Sequence, residues 1–281
     1  MRASTRLPLA GAALVLLASL AAGSAAASTL VGRNAHQIHL KVSRNGRAAL
    51  VTWREDGRQK VVRAWGAINA RAPSASVPQV QLMLNYAGGQ RLRGGCRPYD
   101  GPNLGWVVQA CDARDGSYWA VQNWPRLVKP GQDPTTATWE LHLSHWSGAI
   151  AQLALKTGWA ARQYDEIYGQ YTYLGVPIHG FHSTHQGAPL DTYGRNIYLD
   201  TLNSSYGSGW HRENGFLARK PNGGFCYAMY HAKGTAYRVS AVGPGVTPDI
   251  FTQVSAPGPY NRARDLAANA EETAILGRAC H

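Results

Sequence analysis

The chain predicts an all-β protein of antiparallel, sandwich-like sheets, arranged as one large or two small β subdomains with a C-terminal α-helix. Three features carry that reading. Apolar and polar residues alternate with a period of two through many short segments. Turn-forming pairs such as Asn45-Gly46, Asp56-Gly57, Asp115-Gly116 and Asn222-Gly223 separate them. Only one stretch, near the C-terminus, has a convincing helical period.

Residues 1–27 read as a secretory signal peptide. Arg2 and Arg6 precede the apolar stretch Leu9–Leu20, and Ala25-x-Ala27 offers a cleavage site near Ser28. The apolar core is shorter than the roughly 20 residues a membrane anchor needs. No later segment is apolar enough to span a bilayer. The expected mature protein is therefore secreted, extracellular and not membrane-embedded.

The alternating segments follow in order. They include Ile38–Val42, Val61–Trp65, Val80–Leu84, Thr138–Leu143, Asn196–Leu199, Phe225–His231 and Ala236–Val242. Asp56-Gly57 sits between Leu50–Arg54 and Arg58–Trp65, which predicts a hairpin, and Asn222-Gly223 predicts another turn before Phe225. A short helix around Ala149–Leu155 is a further option. The long helix runs from Arg262 to Arg278, capped by Asn261, with Leu266, Ala267, Ala270, Ala274 and Ile275 or Leu276 near one face and Gly277 at its end.

The interior boundary is less sharp. A Pro-rich stretch, Pro125–Pro134, interrupts the strands. Eight of nine Trp lie from Trp53 to Trp159, whereas eleven of fourteen Tyr lie from Tyr164 onward. This shift predicts a Trp-rich β subdomain over 28–135 and a Tyr-rich one over 136–281 that carries the helix. One large sandwich is the competing arrangement.

Composition excludes several classes. With 44% hydrophobic and 16% charged residues, the chain is too apolar for intrinsic disorder, and four Cys are too few for a small disulfide scaffold. Four Cys allow three pairings, of which Cys96–Cys111 with Cys226–Cys280 is favoured because each pair then lies within one half of the chain. Closing a loop of about 15 residues contributes roughly 3 kcal/mol in the chain-entropy view. Zinc spacing between these Cys is absent.

The net charge is +12, and 22 of the 28 basic residues are Arg. No run of five or six like charges occurs, so no nucleic-acid partner is expected. A basic exported protein meets anionic polymers, acidic glycans or phospholipid headgroups instead.

The segments CRPYDGP (96–102), DGSYWAVQNW (115–124), WELHLSHW (139–146), LDTYGRNIYLDT (190–201) and GPGVTPD (243–249) resemble a group of uncharacterised secreted proteins of actinobacteria. The resemblance spans most of the mature chain. It implies export, and it carries over no activity and no site residue.

Aromatic rings stack on sugars and hold cations. Trp119, Trp124 and Trp146 lie beside Gly, Asn, Ser and Pro and are candidates for a loop-side binding platform. Trp53, Trp65 and Trp139 alternate with polar residues and are expected to point inward. Burial in the core is the competing reading for all of them.

Acids are scarce, yet Asp191, Asp200 and Glu213 gather between 187 and 214 with Arg195 and Arg212. Two of these carboxylates facing a cleft would serve glycoside hydrolysis. With Asn203 they would instead suit Ca²⁺, and as turn caps and ion pairs they would have no ligand at all. Arg195 and Arg212 are candidate anion contacts.

His179-x-x-His182-x-x-His185 lies among Gly and Pro, where neither helix nor strand aligns the rings. No metal and no cofactor are expected. No Gly-x-Ser-x-Gly elbow occurs, and a Ser-His-Asp triad, which geometry defines, is invisible to spacing. The sequence therefore does not decide whether the protein is an enzyme. The expected function is an extracellular binding protein for a glycan or anionic surface polymer. The alternatives are a carbohydrate-active hydrolase and an exported structural protein.

Overall fold

The computed structural model describes residues 28–69, 82–88, 91–178, 196–216, 218, 220, 222–243 and 245–278. The leader reading of 1–27 lies outside them. The first half of the chain forms β1 (Ser28–Arg33), β2 (His36–Val42), β3 (Ala48–Glu55), β4 (Arg58–Gly66), β5 (Leu82–Asn85), β6 (Val107–Asp112), β7 (Tyr118–Arg126) and β8 (Thr138–Trp146). The second forms β9 (Gln152–Ala160), β10 (Tyr164–Tyr173), β11 (Val176–Pro177), β12 (Asn196–Ser204), β13 (Gly207–Phe216), β14 (Gly224–Met229), β15 (Ala236–Val242) and β16 (Ile250–Ser255). The helix α1 (Arg262–Leu276) follows.

These strands make four antiparallel sheets, as the alternation predicts: β2-β3-β4-β5, β1-β8-β7-β6, β13-β12-β15-β16, and β11-β10-β14 with β9 on β10. The Asp56-Gly57 hairpin forms with Glu55 opposite Arg58. Alternation then decides what each sheet buries. Leu40, Val51 and Val62 share one inner row and pack with Trp119, Val121, Leu141 and Leu143 of the next sheet. A second cluster joins Ile167, Tyr171 and Phe225 to Ile197, Leu199, Tyr237 and Val239. Each fully buried side chain of this size contributes roughly 1.5–3 kcal/mol, so the two clusters dominate stability.

Along the chain the residues of the first core end at Leu143 and those of the second begin at Ala151. β8 pairs with β1 and β7, and its Leu141 and Leu143 sit in the first core. The 149–155 region, weighed as a short helix, instead enters β9, which pairs with β10.

The two inner sheets face each other across a polar layer. Here Gln122 Nε2 donates to the Asp249 carbonyl at 2.9 Å, Ser28 Oγ donates to Asp249 Oδ1 at 3.2 Å, and His142 Nδ1 lies 3.1 Å from Asp249 Oδ2. The molecule is thus a stack of four sheets, with dry cores outside and a polar layer in the middle.

α1 starts where predicted. Asn261 accepts from Arg264 N at 3.1 Å, and Gly277 closes the helix in the left-handed region. Its buried face differs from the expected one: Ala268, Glu272 and Leu276 are buried, whereas Leu266 is 60% exposed. That i, i+4, i+8 row packs on the outer face of β9, β10 and β14. Cys96 and Cys111 are joined, with Cα atoms 5.4 Å apart. Cys226 is also disulfide-bonded, and its expected partner Cys280 lies outside the described residues.

Candidate functional site

β12, β13 and β15 bring two of the predicted site residues together. Asp200 is buried in the polar layer. Its Oδ1 accepts from Arg212 Nε at 2.7 Å, and its Oδ2 accepts from Arg238 Nη2 at 2.8 Å. The Arg212 guanidinium lies over Tyr198 at 4.2 Å from the ring centroid, and that of Arg238 lies 4.6 Å from Trp106 and 4.4 Å from Trp210. Buried charges persist only when paired in this way. Trp124, Asp200 and Arg212 line one slot with Trp106, Arg126 and Glu140. The centre of a water-sized sphere has only about 10 Å³ there, so the slot does not admit a sugar ring.

Glu213 does not join Asp200. The register between β12 and β13 shifts at this point, so Leu199 faces Asn214 and Asp200 faces Arg212. Glu213 is the extra residue of this bulge. It turns to the other side of the sheet, where the Tyr227 hydroxyl donates to its Oε1 at 3.2 Å. Burial pushes the Glu213 carboxyl above its ordinary value. Asp200 and Glu213 therefore do not face a common cleft as hydrolase carboxylates would. Asp191, Arg195 and the row His179, His182 and His185 lie outside the described residues. Among the described residues no three His, Cys, Asp or Glu gather as a metal site.

The indole platform is also corrected. Trp119, Trp124 and Trp146 are buried, because β7 and β8 belong to a sheet covered on both faces. Trp65, expected inward, is 39% exposed. In β4 the inner row is Val62 and Ala64, which leaves Arg63 and Trp65 on the outer face.

That outer face of β2–β5 is the most distinctive exposed surface among the described residues. One row across four strands reads Lys41, Leu50, Arg63, Asn85; the neighbouring rows place His39 by Thr52 and Trp65 by Met83. Lys41, Arg54 and Arg63 are exposed on this face, whereas Arg58 and Lys60, opposite Glu55 and Trp53, belong to the other face. Glu55 is the only carboxylate in these four strands, and its Oε2 accepts from Trp53 Nε1 at 2.9 Å. The signal for this face was present in the sequence, as cations at alternate positions of adjoining strands. Net charge alone hid it.

At the end of this sheet an open pocket of about 780 Å³ is lined by Arg47, Trp65, Ile68, Asp115, Ser117 and His145, among others. That volume lies in the ordinary range of small-molecule sites. No helix among the described residues is long and apolar enough to cross a membrane. No family model, no curated protein and no solved structure matches the chain.

Proposed function

We propose that this protein binds an anionic extracellular polymer through the outer face of β2–β5. The observation that carries the reading is that Lys41, Arg54 and Arg63 are exposed on this face, while the one carboxylate of these strands, Glu55, belongs to the other face, where Trp53 engages it. Same-face residues in a strand lie about 7 Å apart and neighbouring strands about 4.8 Å apart. Lys41 and Arg63 therefore stand about 10 Å apart on either side of Leu50, with Arg54 farther along β3, which gives a sparse array of positive charge for an anionic polymer. Trp65 adds an exposed ring at its margin. The expected leader and the Cys96–Cys111 disulfide support an extracytoplasmic location. A stacking platform for neutral sugars loses its support with the burial of Trp119, Trp124 and Trp146.

Binding of this kind is screened by salt. Co-sedimentation with purified teichoic acid and, separately, with alginate tests it. Retention at low salt and release near about 0.5 M salt, where the Debye length falls to a few ångströms, is expected. Lys41→Glu with Arg63→Glu should weaken binding at least about tenfold. Arg262→Glu on α1 should not. Equal loss in both variants would overturn the assignment to this face.

A further inference from the structure

The pocket at the end of the basic sheet holds a group of side chains that polymer binding does not use. Three separate segments deliver it: Gly66 at the end of β4, the turn Asp115–Ser117 before β7, and His145 in β8. His145 Nδ1 lies 2.7 Å from the Gly66 carbonyl oxygen. A carbonyl only accepts, so Nδ1 carries the proton and Nε2 presents its lone pair. Nε2 lies 2.9 Å from Ser117 Oγ. The imidazole is held flat against Trp119, with centroids 3.8 Å apart and planes 11° from parallel. Trp119 is fixed in turn by its Nε1, which donates to the Gly46 carbonyl at 2.7 Å.

We propose that Ser117 and His145 form a nucleophile–base pair that hydrolyses a carboxylic ester bound in this pocket. The arrangement has the parts that nucleophilic catalysis needs: a hydroxyl, a base in hydrogen-bond reach, and a third group that orients the base, here a backbone carbonyl. Burial lowers the proton affinity of His145, so the ring is neutral at neutral pH and Nε2 is open to accept a proton. Asp115 Oδ1 accepts from Ser117 N at 3.1 Å and from Ser117 Oγ at 2.6 Å, so this carboxylate and Nε2 compete for the one hydroxyl proton. It fixes the turn, and its charge stabilises the imidazolium once formed. An Asp-Gly-Ser turn by itself explains the Asp115 bonds. It does not explain a buried imidazole whose Nε2 meets the same hydroxyl at a pocket wall.

The steps balance. Ser117 Oγ bonds to the ester carbon as its proton passes to Nε2. The carbon–alkoxide bond breaks, and the leaving alcohol takes that proton. Water then attacks the acyl-serine and gives its proton to Nε2, and Oγ leaves and recovers it as the acid departs. Arg47 brings positive charge to the same pocket for the oxyanion, and Trp65 and Ile68 offer a flat apolar wall to the substrate.

Two measurements on the intact protein test this. A fluorophosphonate probe should add its mass to the tryptic peptide 115–126, in which Ser117 is the only serine. Hydrolysis of p-nitrophenyl butyrate should fall at least about 100-fold in Ser117→Ala and in His145→Gln. The rate should rise with pH through an ionisation below the usual histidine range. An unlabelled peptide 115–126 in the wild-type protein overturns the proposal whatever the variants do, and so does turnover that survives in Ser117→Ala. Neither result bears on polymer binding, which is read separately through Lys41 and Arg63.

Discussion

The sheet β2–β5 at one end of the stack and the sheet of β9, β10 and β14 at the other each pack one face on a dry core, yet among the described residues a helix covers the outer face of only the second. There α1 lies across the strands. A Cβ on Gly158 would stand 3.3 Å from that of Ala268, Tyr168 donates to Glu271 at 2.9 Å, and Lys156 Nζ lies 2.7 Å from the same carboxylate. At the first end, Lys41, Arg54, Arg63 and Trp65 stand exposed. Covering an end face with acids and a helix serves the fold; exposing cations on one does not, and that asymmetry motivates the proposal that this face recognises a ligand.

Substitutions sharpen this contrast, and the buried middle layer sets the upper limit. Asp200→Ala leaves Arg212 and Arg238 buried without their shared carboxylate, and should cost about 3–5 kcal/mol in denaturant unfolding. At the covered end, Ala268→Arg forces a long cation between α1 and β9 and should cost about 1–3 kcal/mol. Polymer binding by the fraction still folded should be unchanged.

The covered end also carries a pH dependence. Glu166 is buried beneath α1, and burial, reinforced by the neighbouring Glu272, pushes it up to about 9 from the ordinary 4.5. The folded state therefore holds a proton that the unfolded state releases. The stabilisation is complete below about pH 4.5 and is lost as pH rises through about 9. Thermal melts of Glu166→Gln should show a smaller loss of stability across that window than the wild type. The smallest stability effect belongs to the bare face. Lys41→Glu should change unfolding free energy by no more than about 0.5 kcal/mol while weakening polymer binding. A large loss of stability there would erase the distinction between the two ends.

Much of this architecture was readable from the chain. The Asp56-Gly57 hairpin, the Asn261 cap and the Cys96–Cys111 bond each follow from local rules, because a turn, a cap or a short disulfide loop is decided by nearby residues. The misplaced indoles show the limit. Alternation assigns one face inward and one outward, but β7 and β8 are covered on both sides. Gln122, His142 and Ser144 are polar and yet buried. Their polarity suits the middle layer, and from the sequence it looks like a solvent face. Asp200 and Glu213 misled for a related reason: one extra residue in β13 reverses the side to which Glu213 points. Ser117 and His145 are 28 residues apart and meet only through the pairing of β7 with β8. Gly46 shows the same dependence, since its turn was legible, but not that a Cβ there would lie 2.2 Å from the Asp115 carboxylate.

Amide hydrogen exchange with and without bound teichoic acid tests the assignment of the bare face most directly. Slowed exchange concentrated in residues 36–66, with α1 and β9–β16 unchanged, is the predicted result. Protection that falls on the helix-covered end, or is spread evenly over the chain, would contradict it.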